Sequence, residues 1–435
     1  MSRLRARFLA LACAGATALT VLGTAAPPAS AGAPNDACSI LYSARITFWG
    51  MTCSQPGEPM IGGFASWRNV PITFDQTDTG SATVQVGNYL RVTPNTSSSP
   101  LAANIEIGLY ANKTGRTTHT YGPRWTELTT SGGRTKAITA GVNPTKPDMR
   151  NHTYMTVRQD HGNQWDVLYD FNKVGSTTSQ LKVLGGNTNR IDVGLEVTGP
   201  KYVDAPSIAN RMQFMTGNKV WEKVATRNVA KSVTPACGAS HPAPSCFTTK
   251  LADNTTFTQW TVSKPRRQAA ALAAPGTETA DPSHVLAAAD LPATFNGVDQ
   301  KALQTCLDSD PDGCLTTVPG LSECVVTARV CNAAALPAGN IGDDNTGEAD
   351  VSTADIRSRA AAAFDVPADA LALDPPQASL RSTNGTDGAA WTVTSTSTTP
   401  GLLHTDRRFD GFTARYSART GTLLEACWGD LCDAS

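Results

Sequence analysis

The sequence predicts an all-β N-terminal module with a jelly-roll or β-sandwich fold, followed by a small, disulfide-stapled α+β module. Three observations lead to this prediction. Short segments of alternating apolar and polar residues fill the first half of the chain, which is typical of half-buried strands. An Ala/Pro-rich stretch then precedes a region of mixed helix and strand patterns. Ten of the eleven cysteines fall in pairs that are close in sequence, as in exported proteins.

The first 31 residues have the features of a cleavable signal peptide. Arg3, Arg5 and Arg7 form a positive start, an apolar stretch follows, and residues 29–31 are an A-x-A cleavage site. A membrane anchor is the alternative, but the apolar stretch is short and rich in Ala, Gly and Thr. No later apolar run reaches the length needed to cross a bilayer. We therefore expect a secreted protein with no membrane partner, and the content of Ala, Thr and Arg is typical of a GC-rich bacterial source.

The remaining chain is predicted to divide at residues 265–294, which are rich in Ala and Pro and lack an apolar period. Such a stretch behaves as a semi-extended linker between two modules, residues 32–264 and 295–435. Residues 32–264 contain 22 Lys and Arg against 15 Asp and Glu, whereas residues 281–435 contain 9 against 21. The opposite charges would permit docking between the modules, although a solvated acidic module is the simpler interpretation. Neither module has the aromatic and basic stripe of a nucleic-acid-binding surface.

The first module is predicted to consist of strands, because segments of four to eight residues alternate between apolar and polar side chains. Turn residues separate these segments, and a helical period is absent apart from a short turn at Ala205–Asn210. Many short strands of even length favour a jelly roll or sandwich. The clearest predicted strands are Thr83–Val86, Asn104–Tyr110, His152–Arg158, Gln164–Phe171, Arg190–Thr198 and Arg211–Phe214.

In the second module, helix patterns precede strand patterns. Gln300–Leu307 is a candidate helix, and Ser352 or Thr353 could cap a helix through Ala354–Phe364. The strands predicted to follow are Ala389–Ser395, Phe409–Ser417 and Leu423–Cys427. One helix and a meander ending in F-x-A-x-Y-x-A-x-T-G-x-L-L resembles the PepSY-like group of small secreted α+β domains. That resemblance implies binding or inhibition more than catalysis.

The ten cysteines after the signal peptide are predicted to form five short-loop disulfides. Export, an even number and local spacing all favour this interpretation. A metal site is the alternative, but no Cys-x-x-Cys pair or His-x-x-x-His spacing accompanies the cysteines. The predicted pairs are Cys38 with Cys53, Cys237 with Cys246, Cys306 with Cys314, Cys324 with Cys331, and Cys427 with Cys432.

Two predicted strands place a glutamate beside a glycine on their polar face. The first reads E-x-G at Glu106 and the second reads G-x-E at Glu196, with Tyr110 and Asp192 on the same faces. A glycine at this position would open room for a ligand beside the carboxylate. Two carboxylates across a cleft can act as an acid and as a nucleophile or base. The alternative is that both glutamates are solvent-facing strand residues.

The sequence around these strands resembles that of small jelly-roll xylanases, which place two glutamates on separate strands of a concave sheet. The run YLRV at 89–92, followed by Pro100, Leu101 and Glu106, is similar to the stretch before their first glutamate. YMTVRQ at 154–159 is similar to their YWSVRQ strand. The resemblance implies a nucleophile at Glu106 and an acid/base at Glu196. IEIG at 105–108 also resembles the first glutamate site of neprosin-type glutamic peptidases, which use two sandwich glutamates.

An acidic loop in the second module has the opening of a calcium loop. Asp308, Asp310 and Asp312 precede Gly313 at the right spacing. The twelfth position is Pro319 instead of glutamate, so an acidic turn is the better interpretation. No other metal or cofactor is predicted, because the nucleophile-elbow, zinc-helix and phosphate-loop motifs are absent from the sequence.

Together these patterns predict a secreted bacterial protein that binds an extracellular polymer, above all a polysaccharide, on the polar face of its sandwich. The tyrosines of that face would supply aromatic platforms for sugar rings. The residues predicted to form the site are Glu106, Tyr110, Tyr154, Arg158, Asp192 and Glu196. Two alternatives stay open: a two-carboxylate glycosidase or peptidase that uses the glutamates, and an interaction or inhibitor protein whose acidic module masks a partner.

Overall fold

The computed structural model describes residues 48–54, 59–70, 72–74, 83–94, 103–114, 117–138, 149–178, 190–197, 203–224, 229–234, 236–240, 246–251, 256–261, 290–336, 351–377, 389–400, 408–418 and 421–432. The predicted signal peptide, Cys38 and nearly all of the predicted linker lie outside these residues. Within the described segments, no helix has both the length and the apolar character that a membrane crossing requires.

Strands dominate the described residues, as the sequence predicts. In chain order they are β1 (Phe48–Ser54), β2 (Met60–Arg68), β3 (Thr73–Phe74), β4 (Thr83–Thr93), β5 (Asn104–Thr114), β6 (Thr117–Leu128), β7 (Gly132–Ala137), β8 (Asn151–Arg158), β9 (Trp165–Tyr169), β10 (Asn172–Ser176), β11 (Arg190–Val197), β12 (Val203–Asp204), β13 (Ile208–Thr216), β14 (Trp221–Lys223), β15 (Val229–Thr234), β16 (Phe247–Leu251), β17 (Thr256–Thr261), β18 (Thr294–Phe295), β19 (Val298–Asp299), β20 (Ala372–Gln377), β21 (Ala390–Pro400), β22 (Arg408–Ser417) and β23 (Leu423–Gly429).

The helices of the described part all follow residue 299. They are α1 (Gln300–Ser309), α2 (Cys314–Thr317), α3 (Leu321–Thr327) and α4 (Thr353–Phe364), with two short 3-10 turns at Ala333–Ala335 and Ala368–Ala370. Asp299 caps α1 by accepting from the amide of Ala302. Ser352 caps α4 by accepting from the amide of Asp355, so Ser352 is the cap, not Thr353.

Two large antiparallel sheets contain most of the strands. In the described residues, sheet I has the order β15-β1-β11-β4-β5-β6-β7-β23-β22-β21-β20. Sheet II has the order β10-β9-β8-β2-β13-β17-β16, with β14 paired to β13. Two small sheets, β3 with β12 and β18 with β19, complete the set. The two sheets form the predicted sandwich, and strands that are neighbours within a sheet run antiparallel.

The main hydrophobic core lies between the two sheets. Alternate residues of β4, β5 and β11, such as Leu90, Ile107 and Val193, meet residues of sheet II such as Trp67. Because side chains alternate along a strand, the polar residues of these sheet I strands point to the opposite face. That outer face of sheet I carries the predicted glutamates.

The helical segment α1–α3 packs on the outer face of sheet II. Phe64 and Met215 of that sheet share an apolar cluster with Leu303 and Val325 of the helices. Two predicted disulfides, between Cys306 and Cys314 and between Cys324 and Cys331, are present in this segment. The disulfides Cys237–Cys246 and Cys427–Cys432 are also present. Four of the five predicted pairs are therefore confirmed, and the fifth involves Cys38, outside the described residues.

The last strands of the chain extend sheet I. β23 pairs with β7 in an antiparallel register, with Cys427 opposite Arg134, and β22, β21 and β20 follow outward. α4 packs on them through a stack of Phe364 on Phe412, whose ring centroids are 3.8 Å apart. Residues on the two sides of the predicted linker thus share one sheet, whereas the predicted boundary itself stays a prediction because 262–289 are not described.

Charged contacts also join the two parts of the chain. Arg211 of β13 pairs with Asp312 at 3.2 Å, and Arg150 lies 4.0 Å from Asp308. In another ion pair the later part of the chain supplies the cation: Arg329 pairs with the buried Asp166 of β9 at 2.5 Å. Apolar packing and strand pairing join the two parts as well.

Two predictions of local structure are wrong. The turn predicted at 205–210 is instead the start of β13, because Ile208 is needed in the main core and is 2% exposed. The strand predicted at 164–171 ends at Tyr169, where Asp170 and Phe171 turn the chain with φ of 48° and 62°. Two consecutive left-handed residues match the right-handed twist of a tight hairpin. Burial of the Phe171 ring under the helices holds this strained turn in place.

Candidate functional site

Three rows of side chains cross strands β11, β4, β5 and β6 on the outer face of sheet I. We call this surface the carboxylate face. In each row the residues are direct partners in the strand register. The first row is Glu196, Gly87, Tyr110 and Gly122, the second is Gly194, Tyr89, Gly108 and Arg124, and the third is Asp192, Arg91, Glu106 and Thr126.

Arg91 is the centre of the carboxylate face. Its Nε donates to Oε1 of Glu106 at 2.7 Å, and its Nη2 lies 3.5 Å from Oε1 of Glu196. Its Nη1 lies 3.8 Å from Oδ2 of Asp192. The structure therefore brings together both predicted glutamates and Asp192, although they come from strands far apart in sequence. A guanidinium with donors on several edges suits this geometry.

The ion-paired cluster on the carboxylate face contains three carboxyl groups and two guanidinium groups. Arg190 supplies the second guanidinium, with Nε 2.6 Å from Oδ1 of Asp192. Burial raises the pKa of Asp192, and the charges of Arg190 and Arg91 oppose that rise. Burial lowers the pKa of Arg91, but Tyr89 and the carboxylates around it outweigh burial and hold that pKa well above its usual value.

Two tyrosines lie beside the carboxylates. The rings of Tyr89 and Tyr110 are nearly parallel, with centroids 6.2 Å apart. The hydroxyl of Tyr89 accepts from Arg91 Nη2 at 2.8 Å, and that of Tyr110 lies 3.5 Å from Oε2 of Glu106. Burial, with the charge of Glu106 adding to it, raises the pKa of Tyr110 well above its usual value. The hydroxyl of Tyr110 therefore stays protonated and can donate.

The glycines of these rows accommodate the tyrosines. A Cβ at Gly87 would lie 2.7 Å from the ring of Tyr110, and a Cβ at Gly108 would meet the Cβ of Tyr89. The expectation that the glycine beside Glu106 opens room for a ligand is therefore wrong for Gly108, because Tyr89 already fills that space. The sequence pattern E-x-G therefore reflects close packing, in which a large side chain on one strand fills the space beside a glycine on the next strand.

The carboxylate face is buried in this form of the protein. Glu106 is 3% exposed, Tyr110 5% and Glu196 1%. The alternative interpretation of two solvent-facing glutamates is thus wrong. An open platform for a polymer is also not what this form presents, so a ligand can reach the face only when it opens.

Two predicted site residues lie elsewhere. Tyr154 belongs to β8 in sheet II, where it stacks on Trp67 in the main core with centroids 3.8 Å apart. Arg158 belongs to the same strand, and its Nη2 donates to the carbonyl of Gly162 at 3.4 Å. The expectation that both share a face with Glu106 is wrong, because strand alternation shows which residues share one strand face but not which sheet the strand joins.

Sequence reasoning missed three residues of this face, Tyr89, Arg91 and Arg124. Tyr89 and Arg91 occupy the polar positions on either side of Leu90 in β4. The same alternation that identified the glutamates would have identified them. Arg124 lies opposite Gly108 in the register of β6, and only the pairing of strands could locate it.

The acidic loop at 308–312 is held by protein cations. Arg211 lies 3.2 Å from Oδ1 of Asp312, and the side chain of Gln213 donates to the Asp312 carbonyl. Burial is the main cause that raises the pKa of Asp312 to about 6, and a hydrogen bond with Asp310 adds to it. The described residues contain no group of three acidic, His or Cys side chains placed to hold a metal ion. Calcium binding at Asp308, Asp310 and Asp312 stays a prediction.

Comparison with known proteins gives no family for this chain. No protein family model matches it, and no curated protein matches it. Among solved structures, a Scytalido-glutamic peptidase with a peptide-based transition-state analogue matches 50% of this chain and 100% of its own, with 7% identity and a TM-score of 0.30. A sialidase CBM40 from Ruminococcus gnavus, bound to α2,3-sialyllactose, matches 36% and 88%, with 10% identity and a TM-score of 0.16. A galactohydrolase matches 48% and 76%, with 9% identity and a TM-score of 0.17. Likenesses at these scores carry no argument about function.

Proposed function

We propose that this protein is a secreted hydrolase of extracellular polysaccharide whose acid–base machinery is the carboxylate pair of Glu106 and Glu196. The observation that carries the proposal is the convergence of both carboxylates on the guanidinium of Arg91, at 2.7 Å and 3.5 Å. Because both oxygens contact one guanidinium, they lie at most about 8.5 Å apart, below the upper limit of about 9.5 Å for two-carboxylate glycosidases.

The proposed chemistry is hydrolysis with water as the only co-reactant. The protonated carboxyl, Glu196, donates its proton to the glycosidic oxygen as the bond to the anomeric carbon breaks. Glu106 either takes a proton from the attacking water or attacks that carbon directly; in the second case a water molecule that is deprotonated by Glu196 then breaks the new ester bond and releases the sugar. Arg91 and the hydroxyl of Tyr110 position Glu106. Asp192, whose pKa is raised by burial, is the adjacent proton reservoir.

Burial of the face has a direct consequence for this proposal. A carboxyl that must stay protonated near neutral pH needs a partly desolvated site beside other carboxylates, and this cluster supplies both. The same burial requires the face to open before a chain of sugars can enter. Turnover is therefore expected to be limited by opening of the face and not by the chemical step.

The test compares Glu106→Gln and Glu196→Gln with the wild type on xylan, glucuronoxylan, pectin and a mixed peptide library. We expect turnover of a polysaccharide by the wild type and a loss of about 100-fold or more in each variant, with retained binding. Glu425→Gln is the matched control, because Glu425 lies in the same sheet and pairs with Arg415 away from the face. It is expected to keep full activity.

Other outcomes would replace the proposal. Cleavage of peptides but not polysaccharides would make the protein a two-carboxylate peptidase. Polysaccharide binding without turnover, weakened more by Tyr110→Ala than by the two Gln variants, would restore the binding-module interpretation. Equal turnover by the Gln variants and the wild type would remove the glutamates from the mechanism altogether.

A further inference from the structure

Four buried residues of the carboxylate face have polar atoms without a hydrogen-bond partner. We call these residues, Arg91, Asp192, Arg190 and Asn104, the polar quartet; none is more than 2% exposed. In the part of the chain that the structure describes, the atoms concerned are Nη1 of Arg91, Oδ2 of Asp192, Nη2 of Arg190, and Oδ1 and Nδ2 of Asn104. Asn104 is the only described residue with two such atoms. Buried polar groups are normally paired, because leaving them unpaired is unfavourable, so this set calls for an explanation.

The strand register places the polar quartet in one area. Arg190 and Asp192 are two residues apart on β11 and therefore share a strand face. Asn104 shares a face with Glu106 on β5 for the same reason. Arg91 of β4 is the register partner of both Asp192 and Glu106. Since β4 alone separates β11 from β5, the whole quartet lies within about 10 Å of strand spacing, beside the proposed nucleophile.

The gap between Arg91 and Asp192 matches one hydroxyl group. Nη1 of Arg91 and Oδ2 of Asp192 are 3.8 Å apart, which is too long for a hydrogen bond. A hydroxyl oxygen about 2.8 Å from both atoms fits this spacing, because it accepts from the guanidinium and donates to the carboxylate. Arg190 uses its Nε for Oδ1 of Asp192, at 2.6 Å, and so keeps Nη2 as a donor. The Asn104 amide adds one donor group and one acceptor, the two roles that a second hydroxyl complements.

The charges of the cluster favour an uncharged ligand. Three carboxyl groups face two guanidinium groups in the ion-paired cluster. With Glu196 protonated, as the proposed mechanism requires, the charges balance. A ligand that brought its own charge into this buried cluster would upset the balance. The hydroxyl groups of a neutral sugar supply donors and acceptors without changing it.

We propose that the polar quartet binds neighbouring hydroxyl groups of a neutral sugar ring, so that the substrate of the proposed hydrolase is an uncharged polysaccharide. One hydroxyl bridges Arg91 and Asp192, and the next contacts Arg190 and Asn104. Because Arg91 also donates to Glu106, the bound ring lies beside the proposed nucleophile. Hydrogen bonds to the hydroxyl next to the reacting carbon strengthen in the transition state of glycoside hydrolysis. This inference rests on the proposed function for the word substrate, but the binding itself can be tested without turnover.

The test is calorimetric titration of the full-length protein with neutral and charged oligosaccharides. The probes are β-1,4-linked hexamers of xylose, glucose and mannose, each beside its O-acetylated form, and a hexamer of galacturonate. Acetylation removes the hydroxyl donors but adds no charge. A hexamer that is cleaved during the titration is replaced by its thio-linked analogue, which resists hydrolysis. We expect the wild type to bind one neutral hexamer at least about tenfold more tightly than its acetylated form and than galacturonate.

Substitutions in the polar quartet separate binding from folding. Asn104→Leu keeps the size of the side chain without its polar atoms. It should weaken binding of the neutral hexamer about tenfold and raise the denaturant midpoint of unfolding, because a buried unpaired amide is removed. Arg190→Lys keeps a charge beside Asp192 but has a single nitrogen, so it should weaken binding by a few fold. Thr156→Val is the control, because the buried Oγ1 of Thr156 in sheet II also lacks a partner in the described residues; it should leave binding unchanged.

The outcomes distinguish this inference from the proposed function. Absence of neutral hexamer binding, equal affinity for the acetylated form, or tighter binding of galacturonate would each overturn the inference, even if a polysaccharide is hydrolysed. Unchanged binding in both Asn104→Leu and Arg190→Lys would also overturn it. A lower unfolding midpoint in Asn104→Leu would mean that the amide serves the fold, and would contradict the inference. Binding that depends on the polar quartet without any cleavage would uphold it and remove the catalytic proposal.

Discussion

Both outer faces of the sandwich are buried, but by different kinds of side chain. On sheet II, Phe64, Met155 and Leu168 join the helices in an apolar cluster. On sheet I, the carboxylate face buries Arg91 and Glu106 instead. Apolar burial stabilises a fold without further requirement, whereas buried charges stabilise it only when they remain paired. The face of sheet II is therefore explained by folding alone, and that of sheet I calls for a functional reason.

The largest expected effect comes from removing Arg91. Arg91→Met leaves Glu106, Glu196 and Asp192 buried with a single guanidinium, and the free energy of unfolding should fall by about 3 to 5 kcal/mol at pH 7. Burial already raises the pKa of Asp192, and loss of the Arg91 charge raises it further. The cost of burying the ionised Asp192 carboxylate is then present above the raised pKa and disappears as pH falls below it, because the carboxyl binds a proton. Denaturant unfolding at pH 7 and pH 4.5 measures the difference. A loss of equal size at both pH values would contradict the ionic explanation.

A similar loss without pH dependence is expected on the other face. Phe64→Ala removes a ring that packs against Phe171 and Trp221, with centroids 6.4 and 6.2 Å away. A cavity of this kind costs about 3 to 5 kcal/mol. Since no charge is exposed or buried by the change, the loss should be the same at pH 4.5 and pH 7. A marked pH dependence would mean that the helical segment is held mainly by its ion pairs.

The contrast between the two faces also shows what the sequence could reveal. Alternation predicted the strands around Glu106 and Glu196 and placed both on a polar strand face. Alternation was equally clear at Tyr154, yet that residue belongs to sheet II and lies in the main core between the two sheets. A polar position in a strand pattern reports only the side of the strand, and not whether another layer covers it. The pairing of β11 with β4 and of β4 with β5 is long-range information that a single sequence does not contain.

The second module illustrates the same limit. The predicted helices at 300–307 and 354–364, the meander and the local disulfides follow patterns of near neighbours, and the structure confirms them. The pairing of β23 with β7 joins residues almost three hundred positions apart, and no local signal in the sequence marks it.

A smaller effect is expected from opening one disulfide. The segment after Cys324 adds to the edge strand β10, where the amide of Lys173 donates to the carbonyl of Arg329 at 2.7 Å. The disulfide between Cys324 and Cys331 closes this segment. Replacing both cysteines by Ser should lower the free energy of unfolding by about 2 to 3 kcal/mol.

Hydrogen exchange shows whether that loss is local. The amide of Lys173 should lose protection in the double Ser variant, because its acceptor lies in the released segment. The matched control replaces Cys237 and Cys246 by Ser, because they form a disulfide of similar loop length in a different part of the chain. If Lys173 keeps its protection while stability falls, the disulfide acts on the unfolded chain alone.

The smallest expected effect is a pH dependence in the attachment of the helical segment to sheet II. Asp312 has a folded-state pKa of about 6, raised first by burial and then by its hydrogen bond with Asp310, while Arg211 opposes the rise. A carboxyl whose folded pKa exceeds its unfolded value takes up a proton on folding, so stability falls as pH rises from about 4 to 6 and is level above that. The amides of residues 310–318 should therefore exchange through opening events that become easier over this range, after correction for intrinsic exchange rates.

Asp312→Asn keeps the shape of the side chain and the contact of the Asp312 backbone carbonyl with Gln213 but cannot titrate, so its opening free energy should not change with pH. An equal pH dependence in that variant would assign the effect to another group. Arg211→Met, in contrast, should move the wild-type transition to higher pH, because it removes the positive charge that favours the ionised carboxylate.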